Sequence, residues 1–204
     1  MNSERVEIPQ TGRGPSKDDW QSQIDRLQGI VCTLLIKNQV LRMGSVMSEP
    51  KLSPRCISFA GGEIMLQTER DHFAYDSWHF APARSAGDFI YVSGIIVARD
   101  PDQAPSSADF AASLRGAFQE LGRQLQAYGC SFQDIVMLTT FHDWSAPEFS
   151  GDATAQAKAF QAIKDEFISE PHPAWTAIGT TRLVREGGIL EIQAVVYSRI
   201  HRRI

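Results

Sequence analysis

The segment ILEIQAVVYS, residues 189–198, has the alternating pattern of a β-strand whose two faces differ. One face is wholly apolar and consists of Leu190, Ile192, Ala194 and Val196. The other face carries an acid and an amide beside a valine, namely Glu191, Gln193 and Val195. The apolar face suits a core covered by helices. The mixed face favours contact with another subunit, and closing several such sheets into a barrel would bury it.

Three further segments predict strands of the same sheet. GDFIYVSGIIVA, residues 87–98, is β-branched and aromatic, and Gly94 inside it predicts a bulge or a close backbone approach. DIVMLTTFH, residues 134–142, is apolar on both faces and predicts a central strand covered on both sides. In AWTAIGTT, residues 174–181, alternation places Trp175, Ala177 and Gly179 on one face and Thr176 and Ile178 on the other.

Two helices are predicted between these strands. The first begins near Ser107 and stops at Gly129, with an apolar stripe formed by Phe110, Leu114, Phe118, Leu121, Leu125 and Tyr128. The second buries Phe160, Ile163 and Phe167, and Pro171 and Pro173 follow its end. RCISF and EIMLQ, on either side of Gly61 and Gly62, predict a hairpin before them. The order of elements predicts an α+β fold with helices on one face of a sheet.

The region before residue 55 differs in character from the rest. Residues 1–15 are polar and rich in Gly and Pro, which predicts disorder, and residues 16–54 predict a helical arm and linker before a domain at 55–204. Heptad-like apolar spacing in the arm, with Asn38 as a polar position, favours either docking on its own domain or oligomerisation. A third interpretation is that translation starts at Met43 or Met47.

Composition and charge exclude several classes of function. The 204 residues contain 20 basic and 24 acidic side chains, a net charge of −4, which disfavours nucleic acid as a partner. The basic segment 199–203 predicts a solvated tail. The longest apolar run, residues 30–36, is far shorter than the ~20 residues of a membrane span, and it follows an acidic segment instead of the basic start of a signal peptide. Three cysteines without regular spacing indicate neither a disulfide framework nor a zinc site, so we expect a soluble cytoplasmic protein.

Four segments in succession, FAPARSAGDFIYVSG, LGRQLQAYGCSFQDIVMLTTF, EFISEPHPAWTAIGTTRL and LEIQAVV, resemble the signatures of the Rid family of YjgF-like reactive intermediate imine deaminases. The resemblance runs from about Arg55 to Ile200. PAWTAIG, with TFH upstream, is more similar to a YjgH-like branch. It implies a chorismate-mutase-like α+β fold, a mixed sheet with two helices on one face, and a homotrimer with a central barrel and three clefts between subunits. It also implies hydrolysis of reactive enamines and imines to a ketoacid and ammonia, with no metal and no cofactor.

The resemblance also assigns site residues. Trp175 stands where active members carry an arginine that holds the substrate carboxylate, and Ala177 stands where they carry a cysteine. Phe80 replaces a tyrosine, and Gln161 stands for an asparagine on the second helix. Ser93 and Gly94 persist in VSG, and Glu191 matches the carboxylate that orients water.

Several alternatives stay open from the sequence. Trp175 either fills an ancestral site at the subunit interface or lines the cleft and stacks on a flat ligand. Glu191 either activates water or makes only an interface hydrogen bond. Arg182 and Arg84 are candidate replacements for the missing arginine, but strand parity puts Arg182 on the face opposite Trp175 unless a bulge intervenes. The chain is therefore either an imine or enamine hydrolase or a non-catalytic trimer that binds small molecules.

Three other reactive side chains are given structural roles. We expect His142, beside Asp143, to be a loop or interface histidine rather than an acid or base, because neighbours on a strand point to opposite faces. Cys130 follows a helix-ending glycine and is predicted to be inert. The five histidines show no metal-binding spacing.

Overall fold

The structure is a computed structural model that describes residues 53–99 and 104–198. Its elements in chain order are β1 Arg55–Phe59, β2 Gly62–Leu66, α1 Glu69–Trp78, β3 Ala83–Ala86, β4 Phe89–Ala98, α2 Ser107–Ala127, a short 3-10 helix Phe132–Asp134, β5 Ile135–Asp143, α3 Ala153–Phe167, β6 Ala174–Thr180 and β7 Gly188–Tyr197. The predictions for residues 1–15 and for the helical arm lie outside the described residues. Of the predicted linker, only Ser53 and Pro54 are described.

The strands form a hairpin and a five-stranded mixed sheet. β1 and β2 pair antiparallel around the turn at Gly61, whose φ of 86° suits glycine. The large sheet has the order β3-β4-β7-β5-β6, in which β5 and β6 are parallel and the other neighbours antiparallel. The α+β prediction is confirmed. β5 lies between β6 and β7, so these two consecutive strands are not neighbours.

The core lies between one face of this sheet and the helices α2 and α3. The apolar set of β7 is 0–3 % exposed, as its alternation predicts: Leu190, Ile192, Ala194 and Val196. Phe118 of α2 and Phe160 of α3 are fully buried against it. Burial of each large apolar side chain contributes about 1.5–3 kcal/mol, so this interface dominates the stability of the fold.

The opposite face of the sheet is open in the single chain. Its exposed side chains include Tyr91 at 50 %, Ile178 at 40 % and Met137 at 39 %. The prediction that the strand at 134–142 is covered on both faces is therefore wrong for one chain. The physical reason is that α2 and α3 both pack on the same side of β5.

The helix α1 was not predicted from the sequence. It starts with a capping box, in which the Thr68 hydroxyl accepts a hydrogen bond from the Asp71 amide and the Asp71 carboxylate accepts one from the Thr68 amide. Asp71 also pairs with Arg123 of α2 at 2.8 Å, which joins the two helices. α1 has no apolar stripe that would have indicated a helix, and its Phe73 and Trp78 are 42 % and 61 % exposed.

Candidate functional site between the β4 bulge and strand β7

A β-bulge in strand β4 creates the first part of the candidate site. Val92 pairs with Ala194 and Ile95 with Ile192, so Ser93 and Gly94 together lie opposite Gln193. This two-against-one arrangement confirms the bulge predicted at Gly94. The bulge bends the strand and leaves backbone at Gly94 without a side chain to cover it.

The carboxylate of Glu191 lies directly against Gly94. A Cβ atom added to Gly94 would meet Oε1 of Glu191 at 1.8 Å and its Cδ at 2.4 Å. Besides the bulge, Gly94 thus makes room for the side chain of Glu191, whereas the sequence offers a close approach of backbone as the alternative. Burial raises the pKa of the Glu191 carboxyl, and the hydrogen bond with Gln193 opposes the shift. A half-buried carboxylate with a raised pKa can accept a proton from water more readily than an ordinary surface glutamate.

Ser93 ties the bulge to the segment that precedes β3. Its hydroxyl donates to the carbonyl of Ala81 at 2.6 Å, and its amide donates to the carbonyl of Pro82 at 2.9 Å. This fixes Phe80, which is 47 % exposed, beside the bulge on the rim of one cavity that also contacts Ser93 and Gly94. The structure thus brings together four sequence-predicted residues: Phe80, Ser93, Gly94 and Glu191.

Trp175 lies on the other side of the sheet. In the parallel pair of β5 and β6, Trp175 is opposite Leu138 and Ala177 is opposite Thr140, and both partners on β5 are fully buried on the helix-covered face. The indole packs 5.3 Å from the ring of Phe160 of α3, and the Lys164 ammonium lies 6.0 Å from its centre. At the edge of the sheet the indole stays 40 % exposed.

A buried chain of hydrogen bonds begins at the indole of Trp175. Its Nε1–H donates to Oγ1 of Thr140 at 3.0 Å, and this hydroxyl lies 2.9 Å from Nε2 of His142. Nδ1 of His142 lies 2.9 Å from Oε1 of Gln156, whose amide nitrogen donates to the carbonyl of Asp143. These partners assign Nδ1 as the protonated nitrogen of a neutral imidazole, with the Thr140 hydroxyl donating to Nε2.

His142 is therefore not a loop or interface histidine, and that prediction is wrong. Its side chain is fully buried and stacks on the ring of Trp144 at 4.2 Å. Burial lowers the pKa of His142, and the hydrogen bond to Gln156 opposes that effect. Sequence reasoning missed the hydrogen-bonded chain because Thr140 and Gln156 are ordinary residues of a strand and a helix until the fold aligns them.

The predicted site residues thus divide between the two faces of the sheet. Glu191 belongs to the open face, whereas Trp175 and Ala177 belong to the face that carries α3. Gln161 is exposed on the outer surface of α3, on the side of the sheet opposite Glu191. One chain cannot place Glu191 and Trp175 in a common pocket.

The two substitute cations differ in their surroundings. The Arg84 guanidinium is 3.9 Å from the centre of the Phe59 ring and is used in that cation–π contact. Arg182 is exposed after β6. Cys130 is buried, and burial raises the pKa of its thiol, which agrees with an inert side chain. Within residues 53–99 and 104–198, no three His, Cys, Asp or Glu side chains gather as metal ligands, and no helix is long and apolar enough to span a membrane.

Comparison with known proteins places the chain that builds this site in a known family. Residues 75–198 match the model of the family described as endoribonuclease L-PSP, so the chain belongs to this Rid/YjgF family. The chain is 35% identical over 113 residues to the RutC family protein YjgH of Escherichia coli strain K12, covering 55% of this chain and 79% of that protein. The predicted resemblance to the Rid family, and to its YjgH branch, is confirmed.

Similar solved structures come from the same family. One is the protein YJGH, with 34% identity, a TM-score of 0.48 and coverage of 61% of this chain and 87% of that one. Another is RidA of the Antarctic bacterium Psychrobacter, with 22% identity, a TM-score of 0.46 and coverage of 58% and 87%.

Proposed function

We propose that this protein hydrolyses reactive imines or enamines of small metabolites to a carbonyl compound and ammonia, in clefts between the subunits of a homotrimer. The observation that carries the proposal is the contact of the Glu191 carboxylate with the bare backbone at Gly94. A half-buried carboxylate beside backbone that carries no side chain supports a role for Glu191 as the base that activates water.

The chemistry follows from the position of that carboxylate. Glu191 accepts a proton from water as the water oxygen bonds to the imine carbon, and the electron pair of the C=N bond moves to nitrogen. The protonated carboxyl gives that proton to nitrogen, which completes a carbinolamine. The carbinolamine hydroxyl then loses its proton through Glu191 to nitrogen, the C–N bond breaks, and ammonia leaves as the carbonyl forms. An enamine enters this sequence after it tautomerises to the imine. Such acid–base help contributes about 10²–10⁴-fold to a rate.

The open face of the sheet supports assembly. Its exposed Tyr91, Met137 and Ile178 surround polar side chains, and a concavity of about 250 Å³ lies between Tyr91, Thr139 and Gln193. Apolar and aromatic groups in such a mixture are typical of a surface that a second subunit covers. A trimer with a central barrel, which the resemblance implies, would bury this face and let Trp175 of one chain approach Glu191 of the next.

Trp175 sets the character of its side of the cleft. Its only donor is already bonded to Thr140, so the exposed part of the indole offers a flat apolar surface. We infer that it contacts an apolar or planar part of the ligand. Because the indole N–H is already bonded to Thr140, a second candidate function is also favoured, in which the trimer binds a small molecule without turnover. In that case Trp175, Ala177 and Gln161 line the site.

Two further points concern the setting of the reaction. The family's description names an endoribonuclease, but a net charge of −4 disfavours a phosphate backbone as ligand. The described thiols Cys56 and Cys130 are free, which supports a reducing, cytoplasmic location. Neither step of the proposed hydrolysis uses a metal or a cofactor.

The test measures ammonia release from imines that an amino-acid oxidase generates in situ, with neutral and acidic amino acids as precursors. The wild type should accelerate release, and Glu191→Gln should lose at least about 100-fold of that acceleration. Glu186→Gln, at an exposed position in the loop before β7, is the matched control and should keep full activity. If ligands raise the melting temperature but the protein accelerates the hydrolysis of no imine, the small-molecule-binding function is favoured and the hydrolase function is wrong.

A further inference from the structure

The hydrogen-bonded chain that begins at Trp175 has one direction while His142 is neutral. The indole N–H donates to Oγ1 of Thr140 at 3.0 Å, and this hydroxyl donates to Nε2 of His142 at 2.9 Å. On the other side of the ring, Nδ1–H donates to Oε1 of Gln156 at 2.9 Å, because the Gln156 amide nitrogen already donates to the carbonyl of Asp143. Each donor of this chain therefore has an acceptor.

A second proton on His142 removes the acceptor at Nε2. The indole N–H, the imidazolium N–H and the hydroxyl hydrogen then all meet at Oγ1 of Thr140. A hydroxyl oxygen can accept two hydrogen bonds, but its own hydrogen then needs an acceptor, and this oxygen has no third partner among the described residues. An unpaired donor at a fully buried position is unfavourable, so the hydrogen-bonded chain has to rearrange.

Trp175 is the member of the chain that has room to move. Its indole is 40 % exposed on the edge strand β6, whereas Thr140, His142 and Gln156 are 0 % exposed. When the indole moves outwards, the Thr140 hydroxyl can turn its hydrogen into the position that the indole N–H has left. Water at the edge of the sheet can accept that hydrogen, so both buried donors keep a partner.

Uncharged groups enclose the imidazole of His142. Trp144 stacks on it at 4.2 Å, and Phe160 of α3 meets it edge-on at 5.5 Å. The neighbouring strands place Gly179 of β6 and Leu190 of β7 opposite His142. The protonation of His142 is thus felt first by the hydrogen-bonded chain and by the stacked indole of Trp144.

The charged side chains of the surrounding elements have partners of their own. They are Asp143 of β5, which accepts from Ser145; Asp152 and Lys164 of α3, which bind the Ala155 amide and Asp165; and Arg99 after β4, which donates to the Glu148 carbonyl. Glu191 of β7 lies on the opposite face of the sheet. Burial lowers the pKa of His142 and the hydrogen bond with Gln156 opposes it, and neither cause is a neighbouring charge.

We propose that a proton on Nε2 of His142 releases the indole of Trp175 through the hydroxyl of Thr140, and so regulates the apolar surface of the cleft. The neutral imidazole keeps the indole in place, and the imidazolium lets it turn towards solvent. The link between the two side chains rests on the hydrogen bonds, whereas its effect on ligand binding rests on the proposed function. Thr140 and His142 are therefore positioning residues that act through Trp175.

Indole N–H signals in NMR spectra of the full chain, with isotope-labelled tryptophan, test this link. The sequence contains four tryptophans, and replacing each in turn with phenylalanine assigns its signal. Trp144, stacked on His142, reports the protonation of the imidazole, and Trp175 reports the response. In the wild type both signals should move as the pH falls, with one shared midpoint below pH 6.5.

Variants of Thr140 separate the response from the protonation. Thr140→Val removes the hydroxyl, so the Trp144 signal should still titrate while the Trp175 signal no longer follows it. Thr140→Ser keeps the hydroxyl and should keep the shared midpoint. His172→Gln is the matched control, because it removes an exposed histidine three residues before Trp175, and both titrations should persist. Circular dichroism checks that each variant folds.

Three results would overturn the proposal, and the first two need no variant. They are a Trp144 signal that does not move before the protein unfolds, a Trp175 signal with a different midpoint or none, and a Trp175 signal that still follows Trp144 in Thr140→Val. If the two signals titrate together but no imine is hydrolysed, the link is retained and the hydrolase function is wrong. If imines are hydrolysed but the Trp175 signal is independent of pH, only the link is wrong.

Discussion

The indole nitrogen of Trp175 donates to the hydroxyl of Thr140 at 3.0 Å, and this bond joins the sheet edge to the buried His142. The bond orients the indole ring from its buried side, because its acceptor, Thr140, is fully buried. The surface that Trp175 presents to a cleft is thus determined by the core.

Replacing Thr140 tests this dependence. Thr140→Val keeps the shape of the side chain but leaves the Trp175 N–H and the Nε2 of His142 without their partner. We expect a loss of about 1–3 kcal/mol in the free energy of unfolding, measured by urea denaturation. Thr181→Val, at an exposed loop position, should change it by no more than about 0.5 kcal/mol. Equal stability of both variants would contradict the hydrogen-bonded chain.

Gly94 cannot accept a side chain while Glu191 keeps its position. Gly94→Ala places a methyl group 1.8 Å from Oε1 of Glu191, so the carboxylate must move. The expected result is a loss of about 1–3 kcal/mol in stability together with a loss of activity. Gly116→Ala is the matched control, because nothing lies within 4 Å of an added Cβ in α2 and helix propensity favours alanine. If the Gly94→Ala protein is as active and stable as the wild type, neither activity nor stability depends on the contact between Glu191 and the bulge.

The pKa of Glu191 predicts a pH profile and a change in stability. If Glu191 is the base, kcat/KM falls as the pH drops through a pKa above 4.5, the ordinary value. Because the folded pKa is raised, the charged carboxylate destabilises the fold at neutral pH, and this cost disappears as the pH falls through the folded pKa. Glu191→Gln should therefore show a melting temperature at neutral pH equal to or above that of the wild type. A lower value would indicate a structural role for the carboxylate.

His142 predicts an opposite dependence of stability on pH. Its folded pKa is depressed, so the unfolded chain takes up a proton first as the pH falls below 6.5. The contribution to stability is complete above that pH and is lost as the pH falls towards the folded pKa, by at most about 1.4 kcal/mol per pH unit. Urea titrations at about pH 7 and about pH 5 should show a smaller decline in His142→Asn than in the wild type. An identical decline would mean that His142 does not titrate differently on unfolding.

The open face of the sheet predicts the effect of a charge on assembly. Tyr91→Arg puts a guanidinium on the face that we propose is covered in the trimer, at a side chain that is 50 % exposed in one chain. Light scattering should show the mass falling from three chains to one, starting from a chain of 22.7 kDa. Val184→Arg, at a side chain that is 96 % exposed in a loop, should leave the mass unchanged. If the wild type is a monomer in solution, the proposed cleft between subunits does not exist.

The sequence determined those features that depend on side-chain alternation and on local backbone needs. The apolar set on β7, the stripes of α2 and α3, and the bulge at Gly94 all followed from spacing within one element. The family also followed, because its signatures are short segments in a fixed order. The capping box of Thr68 and Asp71 was readable, but α1 has no apolar stripe to confirm it.

Only the tertiary structure decided which elements lie side by side. The parallel pairing of β5 with β6 puts Trp175 beside Thr140, and the packing of α3 brings Gln156 to His142. The position of α1 against α2 likewise puts Arg70 at the cavity of Ser93. These neighbours are far apart in the chain, and their contacts come from long-range packing, which the alternation of one strand or the periodicity of one helix does not encode.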